Sequence, residues 1–244
     1  MPEMKITAGD MHFQELNAAV RNSSDKEIEI DGCLGQRYIG AGLTGKHIVI
    51  HGTPGNALGA YQDGCDIEVH GNAQDATGDT MNDGTITVYG SSGDATGYSM
   101  RGGKIFVKGN IGYRAGIHMK AYQEKQPKLI IGGCAGSFLG EYQAGGIIAV
   151  LGLDKQEDRP LVGNFCGTGM HGGKMYLRTD TLPAGLPVQV KAEDASTEVM
   201  EAVKPLLREF CEKFGFDLAK VLDAHYFVLT PDTANPYKAL YTRN

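Results

Sequence analysis

The sequence predicts an all-β core, a parallel β-helix of about seven coils with a short N-terminal helix and a C-terminal α-helical segment as caps. Three observations lead there. Glycine makes up 35 of 244 residues, roughly twice ordinary usage, and 32 of the 35 fall between Gly32 and Gly173. Gly40, Gly59, Gly78, Gly97 and Gly116 recur every 19 residues, and Gly52, Gly71, Gly90 and Gly109 keep the same period. Between the two series run Ile48, Ile67, Ile86 and Ile105 and, two residues on, Ile50, Val69, Val88 and Val107, the alternation of a strand with one face inward.

A 19-residue unit with one strong strand is too short for helical-hairpin repeats, which need about 33 residues or more, and too poor in leucine for a leucine-rich repeat. A hexapeptide coil would carry an aliphatic residue every six, and this unit does not. In a β-helix each unit is one coil, equivalent strands stack about 4.8 Å apart, and the Ile and Val columns fill a narrow interior. Glycine at the corners permits positive φ and close approach of neighbouring coils. The spacing then grows, with Gly116 to Gly140 at 24 residues and Gly140 to Gly167 at 27, the extra length in QEKQPK and LDKQEDRP reading as loops.

This divides the chain into an N-terminal cap over residues 1–32, a β-helix over 33–178 and a helical cap with an extended tail over 179–244. Asp10 is the expected cap of a helix over 11–21, followed by a strand in KEIEIDG. In the tail, Val199, Val203, Leu206, Leu207, Phe210 and Phe214 predict one amphipathic helix over 195–214. A second short helix near 216–224, an apolar HYFVLT and an extended PDTANPYKALYT follow. Both ends of the stack need covering, because an open strand edge pairs with other chains. Within the repeat, Val88 is expected to point inward and Thr87 outward into solvent.

Twenty-three basic and 29 acidic side chains give a net charge of -6, which argues against nucleic acid as a partner. No run of about 18 apolar residues exists, and MPEMKITAGD lacks a signal-peptide core, so the expectation is a cytoplasmic chain without a membrane partner. Cys33, Cys65, Cys134, Cys166 and Cys211 contain no Cys-x-x-Cys pair, against a cluster, a zinc ribbon or a disulfide scaffold, and are expected to be buried thiols. Gly167-Thr168-Gly169-Met170-His171-Gly172 has dinucleotide spacing, but the strand after it, Lys174 to Leu177, makes these glycines corners. The Gly-Gly-Lys runs at 102–104 and 172–174 lack the rest of a phosphate loop. His51 and His70 share an outward column with Tyr89 and Lys108, whereas His118 and His171 flank Met119 and Met170 on opposite sides. Two imidazoles fall short of a metal site. The expectation is therefore no catalytic, cofactor-binding or metal residue, and no cofactor.

The segments RYIGAGLTGK, GTPGNALGAYQDGCDIEVHGNAQDATGDTMNDGTITVYG, GGCAGSFLGEYQAGGIIAVLG and GNFCGTGMHGGKMYL resemble the GXGXG domain, the right-handed β-helix at the C-terminal end of the glutamate synthase large subunit. A related β-helix forms a subunit of formylmethanofuran dehydrogenase, so the module also exists as a separate chain. The resemblance implies right-handed coils and a spacer role, with the chemistry on other domains. Neither the N-terminal cysteine nucleophile of the amidotransferase nor a cluster-binding cysteine set is here: residue 2 is Pro2 and the first cysteine is Cys33. The resemblance thus implies a non-catalytic structural or assembly subunit of a glutamate-synthase-like oxidoreductase complex in nitrogen metabolism. Its partners would be a flavin-containing synthase and an amidotransferase subunit, with a homo-oligomer left open. The alternative is a free-standing small-molecule enzyme or sensor with a site on the outer face.

Overall fold

The computed structural model describes residues 4–156 and 158–232. Nine strands pair in parallel, each with the next in sequence: β1 (Met4–Thr7), β2 (Glu27–Leu34), β3 (His47–Thr53), β4 (Asp63–His70), β5 (Asp83–Val88), β6 (Lys104–Val107), β7 (Lys128–Ile131), β8 (Ala144–Val150) and β9 (Gly172–Arg178). Two more close the sheet at eleven strands: β11 (Tyr226–Pro231) runs antiparallel on β9, and β10 (Val190–Asp194) antiparallel on β11. The core is all-β, and the sheet is mostly parallel.

Register turns the periodic residues into rows. Ile28, Ile48, Ile67, Ile86, Ile105, Leu129, Ile148 and Met175 are partners in successive strands, as are Ile30, Ile50, Val69, Val88, Val107, Ile131, Val150 and Leu177. Both rows are buried throughout. Two further buried rows keep the same steps, one from Ile39, Leu58, Thr77 and Thr96 through Ala115 and Leu139 to Cys166, the other from Leu43, Gln62, Met81 and Met100 through Met119 and Gln143 to Met170. Away from the main strands, parallel bridges join Ala73, Ser92, Ile111, Ala135 and Val162 in a second ladder. The two strand rows bury aliphatic side chains on aliphatic ones, and losing one branched aliphatic from them costs about 2–5 kcal/mol.

Backbone groups at the corners are satisfied between repeats as well as by turns within them. Tyr38, Ala57, Ala76, Ala95, Arg114, Phe138 and Phe165 are left-handed, with φ between 53° and 65°. Each such residue gives up about 1–2 kcal/mol of local preference, and the bond it makes fixes it. The Ala57 N–H donates to the Asp75 carbonyl of the next repeat at 2.9 Å, while the Gly59 N–H reaches back to the Ile39 carbonyl at 2.8 Å. Side chains extend the pattern: Asp75 and Asp94 Oδ1 accept from the N–H of Asp94 and Tyr113 at 2.8 and 2.7 Å, and Asn72 Oδ1 from that of Ser91 at 2.8 Å. Short polar side chains at a fixed step in a corner are therefore hydrogen-bonding rungs.

Several elements differ from expectation. Helix α1 (Phe13–Asn22) starts at His12, whose Nδ1 accepts from the Gln14 N–H, and not at Asp10, which lies in a turn closed by the Met11 N–H on the Ala8 carbonyl. The single tail helix is two, α2 (Thr197–Glu201) capped by Ser196 and α3 (Lys204–Phe214), because Pro205 fits only a first helical turn. Helix α4 (Leu218–Leu222) is capped by Asp217, and HYFVLT supplies most of β11. Strands β1 and β10 carried no sequence signal strong enough to predict them. The extended reading of PDTANPYKALYT falls almost wholly outside the described residues.

The largest difference is where the tail helix lies. Leu206, Leu207, Phe210, Cys211 and Phe214 of α3 form one buried cluster with Phe106, Ile130, Ala149 and Tyr176, the outward side chains of β6 to β9. The helix thus covers the sheet's outer face, and the end strand β9 is covered by β11 instead. Thr87, expected in solvent, is 1% exposed for this reason. The signal was present: KIFV, KLII and IIAV are apolar at every position after their first residue, the pattern of strands buried on both faces.

All five cysteines are reduced and buried. Desolvation pushes the Cys33 thiol from 9.0 to about 11 and the Cys166 thiol from 9.0 to about 12. Burial also raises Cys65, Cys134 and Cys211. These groups are core, as small apolar side chains.

Three outcomes follow. A Cβ on Gly71 would lie 2.2 Å from the Gly52 carbonyl oxygen, whereas one on Gly42 meets nothing within 4 Å. In urea melts Gly42→Ala should cost about 1 kcal/mol for its left-handed φ, and Gly71→Ala several, about 3 or more. Val88→Asp should cost about 3 kcal/mol or more, and Thr87→Asp, buried beneath α3, about 1–3 kcal/mol rather than nothing. With Cys33 and Cys166 raised, the folded chain keeps protons that the unfolded chain loses, so their contribution is complete below pH 9 and lost as pH climbs toward 11–12. Stability measured from pH 8 to 11 should fall less steeply in Cys166→Ala.

Candidate functional site

The outer face of β2, β3 and β4 is the part of the sheet that α3 leaves open. Alternation sends Ile28 and Ile30 inward, so Glu27, Glu29 and Asp31 of β2 project outward. The same parity exposes His47 and His51 on β3, and Asp66, Glu68 and His70 on β4. Acids and imidazoles consequently meet across strands. His47 Nδ1 lies 2.6 Å from Glu27 Oε2, with its Nε2 3.6 Å from Glu68 Oε1; His51 Nε2 lies 3.1 Å from Glu29 Oε1, and His70 Nε2 3.8 Å from Glu68 Oε2. Lys5 of β1 also pairs with Glu29. Its hydrogen bond holds the Glu29 carboxyl below the ordinary range, with His51 adding to the effect against partial desolvation, and Glu29 in turn raises the Lys5 ammonium.

The outward column predicted from spacing is present. The His51 and His70 rings stack with centroids 5.0 Å apart and planes 17° apart, and His70 stacks on Tyr89 at 4.5 Å and 14°. Tyr89 then meets the Phe214 edge of α3 at 5.2 Å, and Lys108 sits 5.9 Å over the Phe216 ring. Sequence reasoning missed Glu29 and Asp31: these two carboxylates and the His51 imidazole each bring a ligand atom, all within 4.8 Å of one another. A signal existed in KEIEIDG, whose acids share the outward parity of His51 one strand away, but it needed the β2–β3 register to be read.

Beside this group an open cleft of about 420 Å³ lies between the sheet and α3, where Glu27, Asp66, Glu68 and Glu209 face His47 and Lys213. At the corners a ridge of exposed rings runs along the stack. Tyr113 meets Phe138 at 5.2 Å, Phe138 meets Phe165 at 4.8 Å, and His118 stacks on Tyr142 at 5.1 Å. Arg114 lies over Tyr113 and Phe138 and pairs with Glu141 at 3.2 Å. Phe165 is 53% exposed and Tyr142 45%.

The dinucleotide-like glycines are filled by the chain itself. A Cβ on Gly169 would lie 2.4 Å from the Tyr142 ring, and one on Gly172 2.7 Å from the Ala144 backbone. Gly172 to Lys174 open β9, and the Gly102–Gly103 bend leads into β6. His171 Nδ1 lies 3.0 Å from the Gly169 carbonyl oxygen, and the His118 ring stacks on Tyr142.

Among the described residues no helix is long and apolar enough to cross a membrane. The chain is 45% identical over 254 aligned residues to an uncharacterized protein of Methanocaldococcus jannaschii, covering 99% of this chain and 97% of that one. Its fold is similar, at a TM-score of 0.62 and 22% identity, to a chain in the crystal structure of the formyltransferase/hydrolase complex FhcABCD from Methylorubrum extorquens with methylofuran, covering 85% of this chain and 74% of that chain. The family model described as the GXGXG motif matches residues 8–231, a span wider than the repeat and including β10, β11 and the tail helices. The chain belongs to the GXGXG family, the glutamate synthase-type domain, here in a 244-residue chain.

Proposed function

We propose that this chain is a non-catalytic structural or assembly subunit of a glutamate-synthase-like oxidoreductase complex in nitrogen metabolism, partnered by flavin-containing synthase and amidotransferase chains. The observation that carries the reading is the corner ridge. Tyr113, Arg114, the half-buried Phe138 and Phe165 touch in series, and Tyr142, stacked on His118, adds a further exposed ring of the kind that dominates protein interfaces. The family supports it, as does a fold neighbour whose structure is that of a complex.

The architecture that goes with this role is a right-handed parallel β-helix of about seven coils. The two ladders of parallel pairing and the inter-repeat bonds at the corners support the coils, and the family resemblance supports their hand. With it goes the division into an N-terminal cap over residues 1–32, the β-helix over 33–178 and a helical cap with an extended tail over 179–244. The alternative, a small-molecule enzyme or sensor, is favoured only by the acidic cleft beside α3.

Affinity capture of the tagged chain from its native source should recover a flavin-containing or amidotransferase chain in stoichiometric amount. Tyr142→Ala combined with Phe165→Ala should cut that recovery by about tenfold while leaving the melting temperature within a few degrees, since both rings are exposed. Recovery of the chain alone under gentle conditions would overturn the reading.

A further inference from the structure

We propose that Glu29, Asp31 and His51 form a three-ligand site for a first-row divalent metal ion on the outer face of β2 and β3. Each residue already offers one ligand atom within 4.8 Å of the other two, and His51 Nε2 approaches Glu29 Oε1 to 3.1 Å. An ion held at about 2.1 Å by each requires the donors to lie within about 4.2 Å of one another, a small closure for side chains on the solvent side of a strand. The donor set is two carboxylate oxygens and one imidazole nitrogen. That combination suits zinc, cobalt, manganese or ferrous iron rather than calcium or a thiolate-seeking ion. Three protein ligands at a surface leave a position for water or an anionic oxygen ligand.

The geometry also selects among the histidines. His70 occupies the next rung, and parallel rings with centroids 5.0 Å apart set their equivalent nitrogens further apart than one ion spans. His70 therefore braces the His51 ring by stacking and directs its own Nε2 toward Glu68. The second and third ligands come from the preceding strand, where Glu29 and Asp31 are two apart and share a face. Lys5 is the built-in competitor, since its ammonium occupies Glu29. An ion bound here would tie β2 to β3 at the N-terminal end of the sheet, where β1 is the outermost strand.

The test uses the full chain, stripped with a chelator and titrated with zinc chloride alone by calorimetry, then with cobalt chloride by visible absorption. One ion per chain is expected, with a cobalt band that zinc displaces. His51→Ala, Glu29→Gln and Asp31→Asn should each weaken binding about tenfold or more, His70→Ala should change it by less than about threefold, and Lys5→Ala should tighten it. Thermal melts of the metal-free variants check that each folds, and zinc should raise the melting temperature of the parent and not of His51→Ala. Absence of saturable one-to-one binding, or binding that survives His51→Ala and fails in His70→Ala, would overturn the proposal. The isolated chain is measured, so the result is independent of whether it joins a complex.

Discussion

Everything in this fold depends on one repeat lying within hydrogen-bonding distance of the next along its whole contour, corners included as well as strands. Where two backbones touch, a side chain has nowhere to go. A Cβ on Gly52, Gly71 or Gly84 would sit between 2.1 and 2.2 Å from a carbonyl oxygen of the preceding repeat. The column of Gly52 and Gly71 is thus a close-approach requirement, whereas Gly40, Gly59, Gly78, Gly97 and Gly116 are left-handed with φ between 62° and 74°, and the left-handed corners add alanine, tyrosine and phenylalanine to glycine because inter-repeat bonds hold them there. The rows of Ile and Val follow from the same constraint, since equivalent positions face equivalent positions and like shapes stack without voids.

That constraint explains what was legible. A strict 19-residue step is readable in one chain without any alignment, and it gives β3 to β6, their inward faces and the buried cysteines near corners directly. The step to 24 and then 27 residues displaces insertions outward without altering the rows, so Leu129, Ile148 and Met175 remain in register. What could not be read was anything set by a second element folding back. The tail helix was expected over an end because its partner face was unknown; the partner is Phe106, Ile130, Ala149 and Tyr176, which look like ordinary strand residues until both faces are counted. Strand β1 is only four residues long and β10 only five, too short to show a period. The candidate site was half legible. His51 and His70 stood out by spacing, but Glu29 and Asp31 join His51 only through the register across a shift between Ile30 and Cys33.

The two ends of the sheet are treated differently. At the C-terminal end β11 reverses direction on β9 and β10 follows it, so stacking stops: an antiparallel strand presents a hydrogen-bond pattern that the next parallel repeat would not match. At the other end β1 is a short strand carrying Lys5, a charged and abbreviated edge that discourages further pairing. Helix α1 packs Leu16 and Val20 into the same core as the rows, filling that end from inside.

Stacking also governs charge. A side chain in a column has its own counterpart one strand spacing away, so a column of equal charges would repel along its length. The outer columns alternate instead: Glu27, His47, Asp66 and Thr85 precede Lys104 and Lys128 in one, and Glu29, Val49 and Glu68 precede Thr87 and Phe106 in the next. Two adjacent like pairs are relieved from outside: Glu209 of α3 reaches Lys104 Nζ at 2.7 Å beside Lys128, and Lys125 Nζ lies 3.0 and 3.3 Å from the carboxylates of the paired Asp63 and Asp83. The helix therefore docks where the face is apolar and closes its edge with an acid where the face is basic. It stops short of the acid–imidazole face on β2 to β4, which no other described element covers, and so the surface that retains free chemistry is the surface left after the stack has satisfied its own packing and charge.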